Sequence, residues 1–382
     1  MNIKSLLLGS AAALVAVSGA RAADAVVMVE PEPVDYVRVC DVYGTGFYYI
    51  PGTETCLKIG GFVRFQISGT GGDDTENSEG DDYATSWRTR ARLNVDAREE
   101  TEFGQLRAYM ALQDDSDSSA DFHIDSAYIQ LGGLTMGYLD SIYKAGTGTP
   151  ADQNFKVGAV KDETIQYTFS SNGFVVAIGA DDDGTGDVTP DFSAKIGYTG
   201  GWGSFFVYGG LDEDTDYGFG DDFLDPTDYE TFDAYDTFVL EGSEGDTSGS
   251  LKANLTLTDL VAAGSTLTVE GTYSFDPNRY SVWDGGFDLP IEWSASGGYG
   301  QELGKLFVAV GGFYGETFDL GYGVGDVDYY GSADVWGAEL YGSYELTDNF
   351  VVSADIYYSE VDYAGPAESD LTAGYLRFQR NF

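Results

Sequence analysis

One histidine, two cysteines and nine prolines are all that this 382-residue sequence holds of those three residue types. Cations are scarce too, with 19 Lys and Arg against 64 Asp and Glu and a formal net charge of −45. Each scarcity excludes something. With only His123, no histidine-based metal set can form, and two thiols cannot make a four-thiolate zinc site. A lone histidine without a Ser or Cys nucleophile context gives no catalytic triad, so no enzyme is indicated. Carboxylates this abundant make acid–acid spacing uninformative about glycoside hydrolysis. The acid excess argues against nucleic acid as a partner, because phosphate contacts need Lys and Arg. No glycine loop precedes a helix, so no phosphate-bearing cofactor is called for. After residue 22 there is no run of about 18 apolar residues, hence no transmembrane helix. A chain of this kind can span a membrane only as a closed barrel.

The N-terminus reads as an export signal. Lys4 supplies a positive start, Leu6 to Val17 is an apolar run too short to span, and Ala20-Arg21-Ala22 has the A-x-A cleavage form. Residues 1–22 are therefore expected to be removed. Residues 24–36 look like an extended lead-in. The two cysteines, Cys40 and Cys56, flank a compact segment, so 23–56 reads as a periplasmic N-terminal piece. In an exported chain an even cysteine count suggests a disulfide, and the alternative is two free thiols.

What the chain does have is glycine, 52 residues, and aromatics, with 28 Tyr and 23 Phe. With turn signals throughout, these suggest an all-β fold. The most informative stretch runs from Ser86 to Arg98. At period two, Ser86, Arg88, Arg90, Arg92, Asn94, Asp96 and Arg98 form one set, and Trp87, Thr89, Ala91, Leu93, Val95 and Ala97 form the other. Strand side chains alternate between faces, so one face is charged and the other apolar. Sixteen such strands are expected: 57–67, 86–98, 103–113, 122–131, 134–139, 163–170, 173–180, 192–199, 203–210, 249–258, 265–275, 291–299, 305–316, 333–346, 350–361 and 370–382. The strand at 305–316 is apolar on both faces and does not alternate.

The connectors alternate between tight (132–133, 171–172, 200–202, 347–349) and long (68–85, 114–121, 140–162, 181–191, 211–248, 276–290, 317–332, 362–369). Loop length sorted by end is expected of an outer-membrane barrel, with short periplasmic turns and long outer loops. Residues 211–247 hold fourteen Asp or Glu and no Lys or Arg. Such a run is either a solvated face or a weak Ca²⁺- or Mg²⁺-bridging loop. Acid at the mouth predicts mild cation preference, fading with salt.

The segments Tyr36-Val37-Arg38-Val39-Cys40-Asp41-Val42-Tyr43-Gly44 and Tyr49-Ile50-Pro51-Gly52-Thr53-Glu54-Thr55-Cys56-Leu57-Lys58-Ile59-Gly60-Gly61, with the ending Tyr375-Leu376-Arg377-Phe378-Gln379-Arg380-Asn381-Phe382, resemble the alphaproteobacterial porin family of Brucella and the rhizobia. The resemblance implies a sixteen-stranded transmembrane antiparallel β-barrel over 57–382, set among outer-membrane lipids. It further implies a homotrimer, passive diffusion of small hydrophilic solutes and ions, and a third long loop folded into the lumen. The long acidic loop departs from that pattern.

Lys58, Arg64, Arg88, Arg90, Arg92, Arg98 and Arg107 fall within fifty residues, on faces opposite the apolar sets. Arginine on the lipid face would cost about 2–4 kcal/mol each at mid-bilayer, so the lumen is expected to hold them. Arg64, Arg88, Arg90, Arg92 and Arg107 are the expected pore lining. Asp140, Asp152, Asp162 and Glu163, from or beside loop 140–162, are expected to face them across a constriction. Lys144, Lys156 and Lys161 dilute that loop's charge. In the alternative, Arg88, Arg90 and Arg92 only neutralise wall carboxylates such as Asp96. Phe313, Trp336, Tyr344, Tyr357 and Tyr358 are candidates for interfacial girdles, or are ordinary strand aromatics. Three functions stay open: a general diffusion porin, a substrate-specific channel, and a surface adhesin or structural barrel.

Overall fold

The computed structural model describes residues 38–72, 82–116, 122–144, 148–152, 155–184, 186, 188–213, 239–240, 247–283, 289–324, 327–366 and 368–382. The signal-like segment, the lead-in and most of 211–248 lie outside the described residues. The chain divides into a unit ending at Arg38 and a compact unit from Val39 to Phe382.

Sixteen long strands build the second unit: β1 (Cys56–Gly72), β2 (Tyr83–Thr101), β3 (Gly104–Asp115), β4 (His123–Leu131), β5 (Leu134–Asp140), β6 (Lys161–Ser171), β7 (Phe174–Asp181), β8 (Asp191–Gly200), β9 (Gly203–Asp212), β10 (Ser248–Thr258), β11 (Ser265–Ser274), β12 (Leu289–Leu303), β13 (Leu306–Thr317), β14 (Asp334–Thr347), β15 (Phe350–Asp362) and β16 (Glu368–Asn381). Each pairs antiparallel with the next, and β16 returns to β1 from Phe62↔Asn381 to Gly72↔Leu371. The sheet is thus a closed barrel. Closure leaves no strand edge unpaired, which is the condition for backbone to sit in hydrocarbon.

The period-two pattern sorts the faces. On β2, Trp87 is 67 % exposed while Asp96, in the other set, is 8 % exposed. Around the wall, Val63, Met110, Ile129, Ile165, Ile178, Ile196, Val269, Val310, Leu340 and Ile356 point outward and are exposed. An exposed apolar belt around a closed barrel has no aqueous rationale and suits acyl chains. Polar side chains occupy the inside, among them Lys252, Asn254, Glu270, Glu339 and Asp355, all buried.

Short turns close one end. At Ser171–Phe174 the two turn residues, Asn172 and Gly173, both take positive φ (50° and 86°). That is the geometry of a two-residue hairpin matching strand twist, which Asn-Gly adopts at little cost. At the other end the connectors are long. Two hairpin strands, Leu320–Val324 and Val327–Gly331, rise from the β13–β14 connector, and Val239–Leu240 of the acidic loop pairs with the first of them.

At the short-turn end, Cys40 and Cys56 form a disulfide with Cα atoms 6.0 Å apart. Tyr48–Tyr49 pairs with the start of β1. Phe47 is buried beneath Lys58 and Arg98, whose cationic groups lie 5.7 and 5.1 Å from its ring. The clip from Val39 onward is therefore part of the barrel's compact unit.

The apolar clusters of the wall lie inside the barrel, where loop residues meet strands. Phe155 and Val157 pack with Trp283, Leu289, Ile291, Phe313 and Val335, and Tyr143 packs with Tyr208 and Tyr280. This explains β13. Its outward set, Leu306, Val310 and Tyr314, meets the lipid side, and its inward Phe313 meets the loop, so neither face is polar. Phe313 is consequently no girdle residue, and Tyr357 shares its strand's inward parity. Trp336 and Tyr358 pair on the outer face at 5.1 Å, and Tyr344 is exposed.

Candidate functional site

The inner surface of β16 and β1–β3 is a wall of arginine, and β4 beside it contributes Asp125. Register sets the spacing: Arg64 lies directly opposite Arg90, and Arg98 opposite Arg107. Like charges facing each other across a ladder destabilise a sheet, and carboxylates on the same wall answer them. Arg90 makes a two-pronged contact to Asp115 (2.8 and 2.6 Å), and Arg88 lies 3.8 Å from the same carboxylate. Arg98 and Arg107 both grip Asp96 with two nitrogens, at 2.7–3.0 Å. Arg92 contacts Asp125 at 2.7 Å, and Lys161 shares that acid at 3.1 Å. One carboxylate thus serves two cations at each level. Paired forks of this type fix planar guanidinium groups in place, more than exposed single contacts do. Arg107 also lies 5.0 Å and 5.3 Å from the Tyr109 and Tyr128 rings.

The β5–β6 connector crosses to the opposite wall. Ser141 donates to Asp181 at 2.7 Å, and the buried Lys252 ammonium donates to the Tyr143 carbonyl while lying 4.3 Å from the Tyr143 ring. Burial pushes the Tyr143 and Tyr280 phenols well above the usual range, so both stay protonated. Farther along, the Thr149 hydroxyl donates to Glu339 on β14 at 3.1 Å. Asp152 accepts from Arg377 Nη1 at 2.7 Å and from the Tyr375 hydroxyl, both on β16. Phe155 stacks on Phe313 at 6.0 Å, and Trp283 stacks on the same ring at 4.9 Å.

Glycines clear the seat for this crossing. A Cβ at Gly298 would lie 2.7 Å from Pro150, and one at Gly311 would lie 2.7 Å from Thr149. At Gly337 it would collide with the Phe155 ring. Bare backbone lets the loop press against the β12–β14 wall, and the remaining space lies toward the arginines.

The expected acidic face is only partly assembled. Asp152 reaches the arginine side, through Arg377. Asp140 pairs locally with Lys144 at 3.0 Å and lies 4.0 Å from Lys161. Asp162 turns to Arg279, which also holds Asp191 at 2.9 Å. Burial works against the Arg279 charge, but Asp162 and Asp191 outweigh it and raise its pKa. Glu163 falls in the exposed set with Ile165, Tyr167 and Phe169, on the barrel's outer face, and does not face the arginines. The acids that do meet the arginines are on the wall: Asp96, Asp115 and Asp125. Strand parity already aligned Asp96 with the arginines, whereas Asp115 lies on the Arg107 face only because the strand runs two residues past 113, where the sequence reading ended it. Arg377 was legible the same way as Asp96, two residues from Gln379 on the last strand. For Asp125 no such signal existed, since a register shift between Ala111 and Leu112 breaks the count.

A family model described as a porin subfamily matches residues 24–379. The porin Omp2b of Brucella neotomae is 34 % identical over 426 aligned residues that span the whole of both chains. Among solved structures, the outer membrane channel DcaP of Acinetobacter baumannii gives a TM-score of 0.59 at 13 % identity, covering 87 % of this chain and 99 % of that one. The trimer form of OmpT from Vibrio cholerae gives 0.54 at 12 % identity, covering 86 % and 100 %. At those identities the two structures speak for the fold alone. The end-to-end likeness in sequence goes further, and with it the closed, apolar-skinned barrel finds its place: the chain belongs to the porin subfamily and resides in the outer membrane.

Proposed function

We propose that solutes cross this outer-membrane diffusion channel along the arginine wall of β16 and β1–β3, with Asp152 and the rest of loop 140–162 forming the opposite side of the narrowest section. The observation that carries this reading is the Asp152–Arg377 contact, made by a loop residue that has traversed the lumen. Fixed charges of opposite sign on facing walls select by size and polarity and order the water between them. Arg64, Arg88, Arg90, Arg92 and Arg107 line the path in this reading. Asp140 and Asp162 steady the loop's two ends instead of lining it. Passage is passive, without catalysis. We also propose cleavage after residue 22, a disulfide-clipped N-terminal piece on the periplasmic side, and a homotrimer. The trimer rests on family resemblance and on the OmpT trimer form.

Planar-bilayer recording of purified protein tests the path, with Arg90→Ala and Asp152→Ala beside the parent. Each variant should change single-channel conductance and shift the reversal potential, in opposite directions. Two variants indistinguishable from the parent would place the path elsewhere. Liposome swelling with a size series of sugars should decline smoothly, and one sugar far off the curve would mark a substrate-specific channel instead.

A further inference from the structure

Arg64 stands apart from the other cations of the wall. It donates one hydrogen bond, from Nε to the neutral Gln379 at 2.8 Å, and among the described residues it forms no ion pair. Its neighbours are cations. Arg90 is its direct cross-strand partner on β2, and on β16 Arg377 sits one inward position from Gln379, the residue opposite Arg64. Both neighbours have their own acids, Asp115 and Asp152. A third guanidinium placed between two others without a carboxylate raises the cost of closing this sheet. The Phe62 ring lies 4.7 Å from its central carbon, and the bond to Gln379 uses Nε alone.

We infer that Arg64, flanked by Arg90 and Arg377, is a binding subsite for small oxyanions within the channel, an assignment that rests on the path proposed above. The chemistry fits phosphate, sulfate and carboxylate alike. Each offers two oxygens at the spacing of a guanidinium edge and accepts paired charge-assisted hydrogen bonds. The flanking guanidiniums attract the same charge, and their committed acids keep them from closing over it. Asp152, held by Arg377 and Tyr375, places a negative charge on the loop side and so limits dwell time. Conduction needs that balance, since a site must hold a solute weakly enough to release it. The strongly acidic chain therefore carries at its narrow section a local preference opposite to its net charge.

The test is current through the full-length protein in planar bilayers, in KCl at constant ionic strength, with inorganic phosphate titrated in. The parent should show a saturable fall in current with added phosphate. In Arg64→Gln the half-effect concentration should rise at least about tenfold, the scale of a lost charge-assisted hydrogen bond. Arg64→Lys keeps the charge but not the fork and should fall between the two. A linear, unsaturating response in the parent overturns the subsite, whatever the variants do. So does a saturable response that is unchanged in both variants. If Arg64→Gln does not fold, the parent curve and Arg64→Lys decide. Absence of any KCl conductance in the parent is a different failure, and it would bring down the channel path itself.

Discussion

Phe155→Ala isolates the loop from the barrel that carries it. Phe155 is 2 % exposed and belongs to the cluster that holds Trp283, Phe313 and Val335. Truncating a buried phenylalanine costs about 3–5 kcal/mol, from lost transfer energy and the cavity left behind. Here the loss falls on one segment. The strand ladder runs along both sides of β13, with one register shift at Ile291/Trp293, and Phe155 contributes nothing to it. The penalty therefore weakens docking of the crossing loop, by roughly two to four orders of magnitude in its equilibrium at about 1.4 kcal/mol per decade. The remaining anchors, Tyr143 with Lys252 and Asp152 with Arg377 before the ring and the Gly158 N–H on the Val282 carbonyl after it, hold both flanks, so the expected outcome is fluctuation about a tethered loop. Single-channel recording should show greater open-channel noise and a broader conductance distribution than the parent. Heat-modifiable gel mobility, which reports the barrel, should be unchanged. Phe155→Leu should give an intermediate trace. A folded Phe155→Ala channel with the parent's noise and conductance would refute the view that this ring fixes the loop against β13.

Lys252→Met should lower the temperature at which the folded band is lost on gels, because it strips a buried donor from the Tyr143 carbonyl and leaves the buried Glu270 with less compensation, a change worth about 3–5 kcal/mol; Lys252→Met with Glu270→Gln should recover part of the loss, and no recovery would show that the two do not act together. Replacing Cys40 and Cys56 by serine should destabilise the N-terminal clip by about 3 kcal/mol in the chain-entropy model, seen as proteolysis near residue 45 with the barrel band intact. Reversal potentials under a KCl gradient should show cation preference at low salt that moves toward anions as salt rises, since the acid-rich mouth is screened over about 10 Å at 0.1 M and about 3 Å at 1 M while the guanidiniums lie within the narrow section; cation preference that strengthens with salt would contradict this. Spin labels at Leu93 and Arg90 should respond to oxygen and to aqueous nickel chelate respectively, and the reverse pattern would invert the barrel.

Parity and loop length carried most of the architecture. Period two along Ser86–Arg98 placed the arginines and the greasy set on opposite faces, because a strand alternates whatever it packs against. The sorting of tight and long connectors gave the two ends, and all sixteen expected strands form, with β1 and β2 longer than expected at both the turn and loop sides. Glu163 failed because it was grouped with the loop, whereas it is the third residue of a strand whose period carries it outward. Phe313 failed because an inward aromatic was indistinguishable from an outward one in a strand apolar on both faces.

By itself the sequence determined a closed β-barrel with an apolar skin and an arginine-bearing interior, since alternation is a local property and lipid leaves helix or closed barrel as the only spanning forms. Only the tertiary structure decided which acid meets which arginine. Asp115 and Asp125 answer Arg90 and Arg92 through strand register, and Asp152 reaches Arg377 from a residue 225 positions away. Partners that distant are set by how far a loop crosses and where glycine leaves room for it, and no local pattern encodes either.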